Sequence, residues 1–268
     1  MNTWRFLDTG VLSGSMNMAI DEAILALHLK GKSPPTLRLY QWNPPALSLG
    51  HFQRCHGFDL DACHRRGFDI VKRPSGGKAV LHLEDLTYAV IAGVDDGIPS
   101  TVRAAYALIC QGLLAAFRLL KIEASISFES RSFAGSDLCF LRDGAGAIAC
   151  GNKKFVGSAQ TWRSSSMLQH GAILLEPQID AILDVQSRHS SDKPRARQAL
   201  EARMTSIREI LGFVPGHEVL SHAIREGMGR ELNMELSEGK LSDEELSLVQ
   251  QIVGLSSTSL CDTDRIAG

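Results

Sequence analysis

Between Thr36 and Ile91 the chain is cut into short pieces of strand character by turn signals that recur every few residues. Thr36-Leu-Arg-Leu-Tyr-Gln-Trp42 alternates apolar and polar, Asn43-Pro-Pro45 turns, and Ala46-Leu-Ser-Leu-Gly50 resumes. A short helix capped by Asp59 and running to about Arg66 separates these from Asp69-Ile-Val-Lys-Arg73. Pro74-Ser-Gly-Gly77 breaks that strand, Ala79-Val-Leu-His82 continues, and Leu86-Thr-Tyr-Ala-Val-Ile91 follows.

Helical spacing surrounds this block. The pattern predicts a helix from about Met16 to His28 capped by Ser15, and an apolar helix from about Thr101 to Leu120 capped by Ser100. Strands are expected at 121–128, 145–150, 153–162 and 167–175, then helices at 195–211, 215–231 and 241–253, with a frayed tail after Leu255. Strands joined by short turns, with helices before, between and after them, imply an α+β fold with a mostly antiparallel or mixed sheet and flanking helices.

The chain has 268 residues, 44% of them hydrophobic and 22% charged, which is ordinary for a globular protein with a sizeable core. A net charge of −2 gives no general attraction to nucleic acid or to a membrane surface. No apolar run reads as a membrane span, and the start lacks a signal-peptide pattern, so the expected location is cytoplasmic. Six cysteines, at 55, 63, 110, 139, 150 and 261, show no framework spacing and are expected to be reduced. His51, Cys55, His56, Cys63 and His64 contain no C-x-x-C pair, so no metal is expected there.

Chemistry concentrates in two places. Arg73-Pro-Ser-Gly-Gly77 with Lys78 offers a glycine pair that lets a ligand lie close to the main chain, beside cations suited to a phosphate or carboxylate. Further on, Cys139 precedes Lys154-Phe-Val-Gly-Ser-Ala-Gln160 and Leu168-Gln-His-Gly171. A thiol beside an ammonium becomes a thiolate, and thiolates attack acyl groups. Lys153 and Lys154 alternate across a strand: one faces solvent, and the other shares a face with Val156 and Ser158 and enters a cleft. Gly157-Ser-Ala159 keeps that strand slim. His82 and His170 each sit at the edge of a strand, where packing and base roles are both open. Spacing alone does not choose between Cys139 and Cys150.

In their order, Arg38-Leu-Tyr-Gln-Trp-Asn-Pro44, Leu47-Ser-Leu-Gly50, Arg73-Pro-Ser-Gly-Gly-Lys-Ala-Val-Leu-His82, Asp85-Leu-Thr-Tyr88, Cys139-Phe140, Lys154 to Gln160 and Leu168 to Gly171 resemble the biotin/lipoate protein ligase family. Within it they are most similar to the cysteine-dependent octanoyltransferases of lipoate assembly. The resemblance implies a catalytic domain over residues 1–212 with a C-terminal helical appendage over 213–268. It implies Cys139 as nucleophile and Lys154 as its partner, with Cys150 carrying no role. Arg73, Gly76, Gly77, Lys78, His82, Gly157, Ser158, Gln160 and His170 would border the acyl pocket. Octanoyl-acyl carrier protein would be the donor. The acceptor would be a lipoyl-domain protein, either the glycine cleavage H protein or a dehydrogenase E2 subunit. No cofactor is implied, since the donor is already a thioester. Arg65, Arg66, Arg73 and Lys78 are the expected docking patch for such acidic partners.

The first rival within the family is an ATP-dependent lipoate–protein ligase, which needs no cysteine here and carries an Asn-centred motif where this chain has Glu84-Asp-Leu-Thr87. A second moves octanoyl groups between lipoyl domains, a group that Gln169-His-Gly171 fits poorly. The rival outside it is a carrier-binding protein that has kept the fold without the chemistry.

Overall fold

The computed structural model describes residues 2–127, 147–186 and 193–256. An eight-stranded sheet forms its centre. Strand β1 (Asn2–Leu12) pairs in parallel with β2 (Thr36–Trp42) on one side and with β11 (Met234–Glu238) on the other. The sheet continues antiparallel through β6 (Asp85–Gly93), β10 (Ser166–Leu174), β9 (Lys153–Arg163), β8 (Ala147–Cys150) and β7 (Ser125–Ser127). A second sheet places β3 (Ala46–Leu49) between β4 (Asp69–Lys72), which is parallel to it, and β5 (Val80–His82), which is antiparallel. The architecture is the expected α+β type with a mixed sheet.

Alternation along β6 shows how the sheet divides its two faces. Leu86, Tyr88, Val90 and Ala92 join one core cluster, whereas Ala89 and Ile91 join another. The first face is covered by helices α3 (Val102–Leu119) and α7 (His217–Glu231). The second is covered by α1 (Gly14–His28), by α8 (Asp243–Ser256) packed on it, and by the small sheet. Helices α2 (Leu60–Arg65), α4 (Ile179–Val185) and α5 (Lys193–Arg203) contribute to the core around the small sheet, while the short α6 (Ile207–Leu211) packs toward the first face.

Several local expectations change. Ser13, not Ser15, caps α1, accepting from the Met16 N–H, and Thr101, not Ser100, caps α3. Asp59 caps α2 as its position implies. The strands β1 and β11 and the helix α4 were not anticipated. The expected helix over 195–211 breaks into α5 and α6, with Ser206 capping the second piece. Helix α3 is long and apolar enough to match a membrane span by length and composition, contrary to the sequence expectation. It spends Ala105, Ile109, Leu113 and Phe117 on the core instead. The tail after Leu255 lies largely outside the described residues.

Candidate active site

The second face of the main sheet carries two hydrogen-bonded relays, each passing through a histidine. Asn17 and Asp21, one turn apart on α1, point at Arg38 and Tyr40, which share a face of β2. Arg38 Nη1 lies 2.6 Å from Asp21 Oδ1 with both side chains fully buried. Its Nη2 donates to Asn17 Oδ1 at 2.7 Å and its Nε to Thr9 Oγ1 at 3.0 Å. Tyr40 donates its hydroxyl to Asp21 Oδ2 at 2.8 Å, and His170 Nδ1 approaches the same oxygen at 3.1 Å. A carboxylate can only accept, so the His170 proton sits on Nδ1. Nε2 is left to accept the hydroxyl of Ser75, 2.6 Å away.

Charge follows from these contacts. Burial pushes the Asp21 carboxyl up, but Arg38 and His170 outweigh it and hold Asp21 below its ordinary value. Burial draws His170 below its ordinary value, and the Asp21 contact offsets only part of that. The imidazole is therefore neutral near pH 7, beside a charged carboxylate that Arg38 balances.

The other relay starts at the glycine loop. Arg73 is buried, donating from Nη1 to the Ser48 carbonyl at 2.9 Å and from Nη2 to the carbonyls of Gly76 and Lys78 at 2.8 and 2.7 Å. It also reaches Ser48 Oγ at 3.3 Å, and that oxygen is 2.9 Å from His82 Nε2. His82 Nδ1 meets Asp85 Oδ2 at 3.0 Å. Thr87 donates to the same oxygen at 2.8 Å and accepts from Trp42 Nε1 at 2.8 Å. The Trp42 indole stacks on the His82 ring at 4.0 Å. Arg73 is thus a brace inside the loop. That removes it from the expected docking patch, and its guanidinium is committed to carbonyls rather than to a phosphate or carboxylate.

Between the two relays lies a pocket of about 420 Å³, part of it open to solvent. Arg73, Gly77, His82, Gly157, Ser158 and His170 border it together with Met18, Tyr40, Trp42, Ser48, Thr87 and Ala172. Of the residues expected there, Gly76, Lys78 and Gln160 are not on its wall. Gln160 instead accepts from Trp162 Nε1 at 2.9 Å and donates to Gln169 at 3.0 Å. Every polar side chain named on the pocket wall is hydrogen-bonded to other protein groups. The surface they leave to a ligand is consequently hydrocarbon in character, with histidine rings whose polar atoms are already engaged.

Gly77 holds φ at +91°, which a side chain resists. A Cβ on Gly50 would sit 2.1 Å from the Gly77 carbonyl oxygen, so the loop folds directly onto that glycine.

Lys154 is buried on β9, and Lys153 is half-buried. The register between β8 and β9 pairs Ile148 with Val156 but Ala149 with Lys154, leaving Phe155 as a bulge. Phe155 and Val156 consequently both enter the core under α3. The bulge reverses the alternation, so Lys154 falls on the face of Gly157 and Ala159 rather than on that of Val156 and Ser158. The main chain there is fixed by the Thr205 N–H, which donates to the Lys154 carbonyl at 3.0 Å.

Cys139 lies outside the described residues. Among the described thiols, Cys63 is pushed up to about 11 by burial and by Asp59, and Cys110 to about 12 by burial. Both are inert packing residues. Cys150 is half-buried at the end of β8. Sequence reasoning did not single out Asp21, Tyr40, Ser48, Ser75 or Thr87. The available signals were the Asn17/Asp21 spacing on a largely apolar helix and the shared parity of Arg38, Tyr40 and Trp42.

A family model described as the lipoyl protein ligase A/B catalytic domain matches residues 13–229. The octanoyltransferase LipM of Kyrpidia tusciae is 38% identical, covering 94% of this chain and 96% of its own length. That of Clostridioides difficile is 35% identical, covering 94% and 95%. Among solved structures, a bipartite lipoate protein ligase from Thermoplasma acidophilum matches with a TM-score of 0.79 at 20% identity, over 95% of this chain and 93% of that one. A lipoate-protein ligase A bound with ATP matches with a TM-score of 0.78 at 23% identity, over 96% of each. At such identities the structural likeness establishes the fold.

Proposed function

The chain belongs to the lipoyl protein ligase A/B catalytic-domain family, and from that premise we propose that it is an octanoyltransferase of lipoate assembly working through Cys139. The observation that carries the reading is the pocket. Its polar wall is satisfied internally, so it suits an unbranched hydrocarbon chain, and relatives named octanoyltransferase match over nearly their whole length.

In the first half-reaction the Cys139 thiolate attacks the thioester carbonyl of octanoyl-acyl carrier protein. The tetrahedral adduct collapses with loss of the carrier's thiolate, which takes up a proton, and leaves octanoyl-Cys139. Lys154 supplies the positive field that favours the thiolate. The bulge at Phe155 supports this assignment, since it turns Lys154 to the face of the pocket residues Gly157 and Ala159. In the second half-reaction the neutral ε-amine of a lipoyl-domain lysine attacks the acyl-enzyme. Cys139 leaves as thiolate, and the amine proton passes to a base, giving the amide. The acceptor is a lipoyl-domain protein of the glycine cleavage H or dehydrogenase E2 type. Both steps start from an activated acyl group and require neither ATP nor a metal. His82 and His170 shape the pocket from its two relays, while Gly77 and Gly157 allow the chain to lie close to the backbone.

The test is the intact mass of the protein after incubation with octanoyl-acyl carrier protein in the absence of ATP. A gain of one octanoyl group, lost in Cys139→Ala and kept in Cys150→Ala, supports the reading. No adduct, with product appearing only when ATP and free lipoate are supplied, overturns it in favour of a ligase.

A further inference from the structure

Two cavities meet at two side chains. The acyl pocket is the first, and the second, of about 730 Å³, lies between α1, the turn at His51, the end of β4 and α8. Met18 and Arg73 are the two residues that line both. They differ in freedom. Arg73 is pinned by its bonds to Ser48, Gly76 and Lys78 and cannot swing without unpicking the loop. Met18 is an unbranched thioether with three rotatable bonds, a side chain suited to filling gaps and to moving out of them.

Strand β9 gives the direction. Lys154 comes first, Gly157 and Ala159 on the acyl pocket next, and Arg163, on the far cavity, last. With a rise of about 3.3 Å per residue, these positions are strung along a single line. An acyl chain whose thioester lies on the Lys154 side therefore points its methyl end toward Met18. Beyond Met18, Ala19, Val71 and Ile252 supply apolar wall before the Glu22–Arg163 ion pair at 2.7 Å.

We propose that Met18 is a specificity-determining stopper, closing the distal end of the acyl pocket, and that removing it admits longer saturated acyl thioesters into the second cavity. The inference rests on the acyltransferase reading above and adds to it the residue that sets chain length. Chain-length discrimination of this kind comes from methylenes that fit or clash, each worth roughly 10–200-fold.

The experiment offers equal amounts of hexanoyl-, octanoyl- and dodecanoyl-acyl carrier protein to the intact protein, to Met18→Ala and to Met18→Phe, and weighs the acyl-enzymes formed. In Met18→Ala the dodecanoyl-to-octanoyl ratio is expected to rise by about tenfold or more. In Met18→Phe the hexanoyl-to-octanoyl ratio is expected to rise instead. Thermal unfolding is recorded alongside, and if Met18→Ala does not fold, the Met18→Phe ratio decides alone. Octanoyl adduct in all folded variants with unchanged ratios overturns the stopper while leaving the transferase standing. Absence of any adduct in the unmodified protein overturns the transferase reading, and the stopper with it.

Discussion

Ser75 Oγ lies 2.6 Å from Nε2 of His170, and this contact ties the glycine loop to the middle of the main sheet. Through His170 the loop is held by Asp21 on α1 and by Arg38 on β2, so a surface turn is fastened to a buried ion pair. Replacing His170 by Ala leaves Ser75 without its acceptor and Asp21 one donor short. The expected cost is about 1–3 kcal/mol of stability, with slower acylation from octanoyl-acyl carrier protein. Denaturant titration and the rate of adduct formation check it.

The ion pair itself is more costly to break. Arg38→Met leaves the Asp21 carboxylate buried without its cation, with an expected loss of about 3–5 kcal/mol. Adding Asp21→Asn to that variant should recover part of the loss, because the uncompensated charge goes with it. Urea midpoints of the two single variants and the double variant measure the coupling. Simple additivity would show that the pair does not act as a unit.

The same contacts set a pH dependence. The His170 value is depressed from its ordinary 6.5, so below that pH the unfolded chain binds a proton that the folded protein refuses. Stability due to His170 is full above about pH 6.5 and declines as pH falls through the folded value. Asp21 is also depressed, from 3.8, and adds a loss of the same sign at lower pH. The melting temperature should fall between pH 7 and pH 5, and the slope should flatten in His170→Gln. An equal slope in both proteins would assign the effect elsewhere.

The three glycines at the loop should respond differently to alanine. In Gly50→Ala the new Cβ meets the Gly77 carbonyl at 2.1 Å, so the loop must shift, with an expected cost of about 1–3 kcal/mol. Gly77→Ala strains a φ of +91°. Gly76 has open space where its Cβ would go, so Gly76→Ala should unfold like the parent protein. Gly76 is also off the pocket wall, so that variant should keep its acylation. Melting curves of the three proteins give the order.

Thiol labelling separates the cysteines. Burial holds Cys63 and Cys110 up at about 11 and 12, so iodoacetamide at pH 8 should leave both unmodified in the folded protein. Peptide mass mapping before and after unfolding reads this directly.

The fold class was legible because the strands that build the site are short, alternating and bounded by turn residues. Thr36–Trp42 and Asp59 at the head of α2 are local signals, and local chemistry fixes them. Strands β1 and β11 escaped because their pairing joins residues more than two hundred positions apart, although Trp4 and Phe6 do alternate. The family was legible too, from the order of motifs rather than from any one of them. What the sequence by itself determined was therefore most of the elements around the site, the family and a roster of candidate side chains. Tertiary structure decided what those side chains face. A bulge at Phe155, visible only in the register with β8, turns Lys154 to the pocket side of β9. Arg73 reads as a cation for a ligand, yet the folded loop surrounds it with carbonyls. Asp21 and His170, 149 positions apart, become one hydrogen-bonded unit only when α1 lies across β10. Periodicity is a property of neighbours in sequence, whereas charge balance and cavity shape belong to neighbours in space.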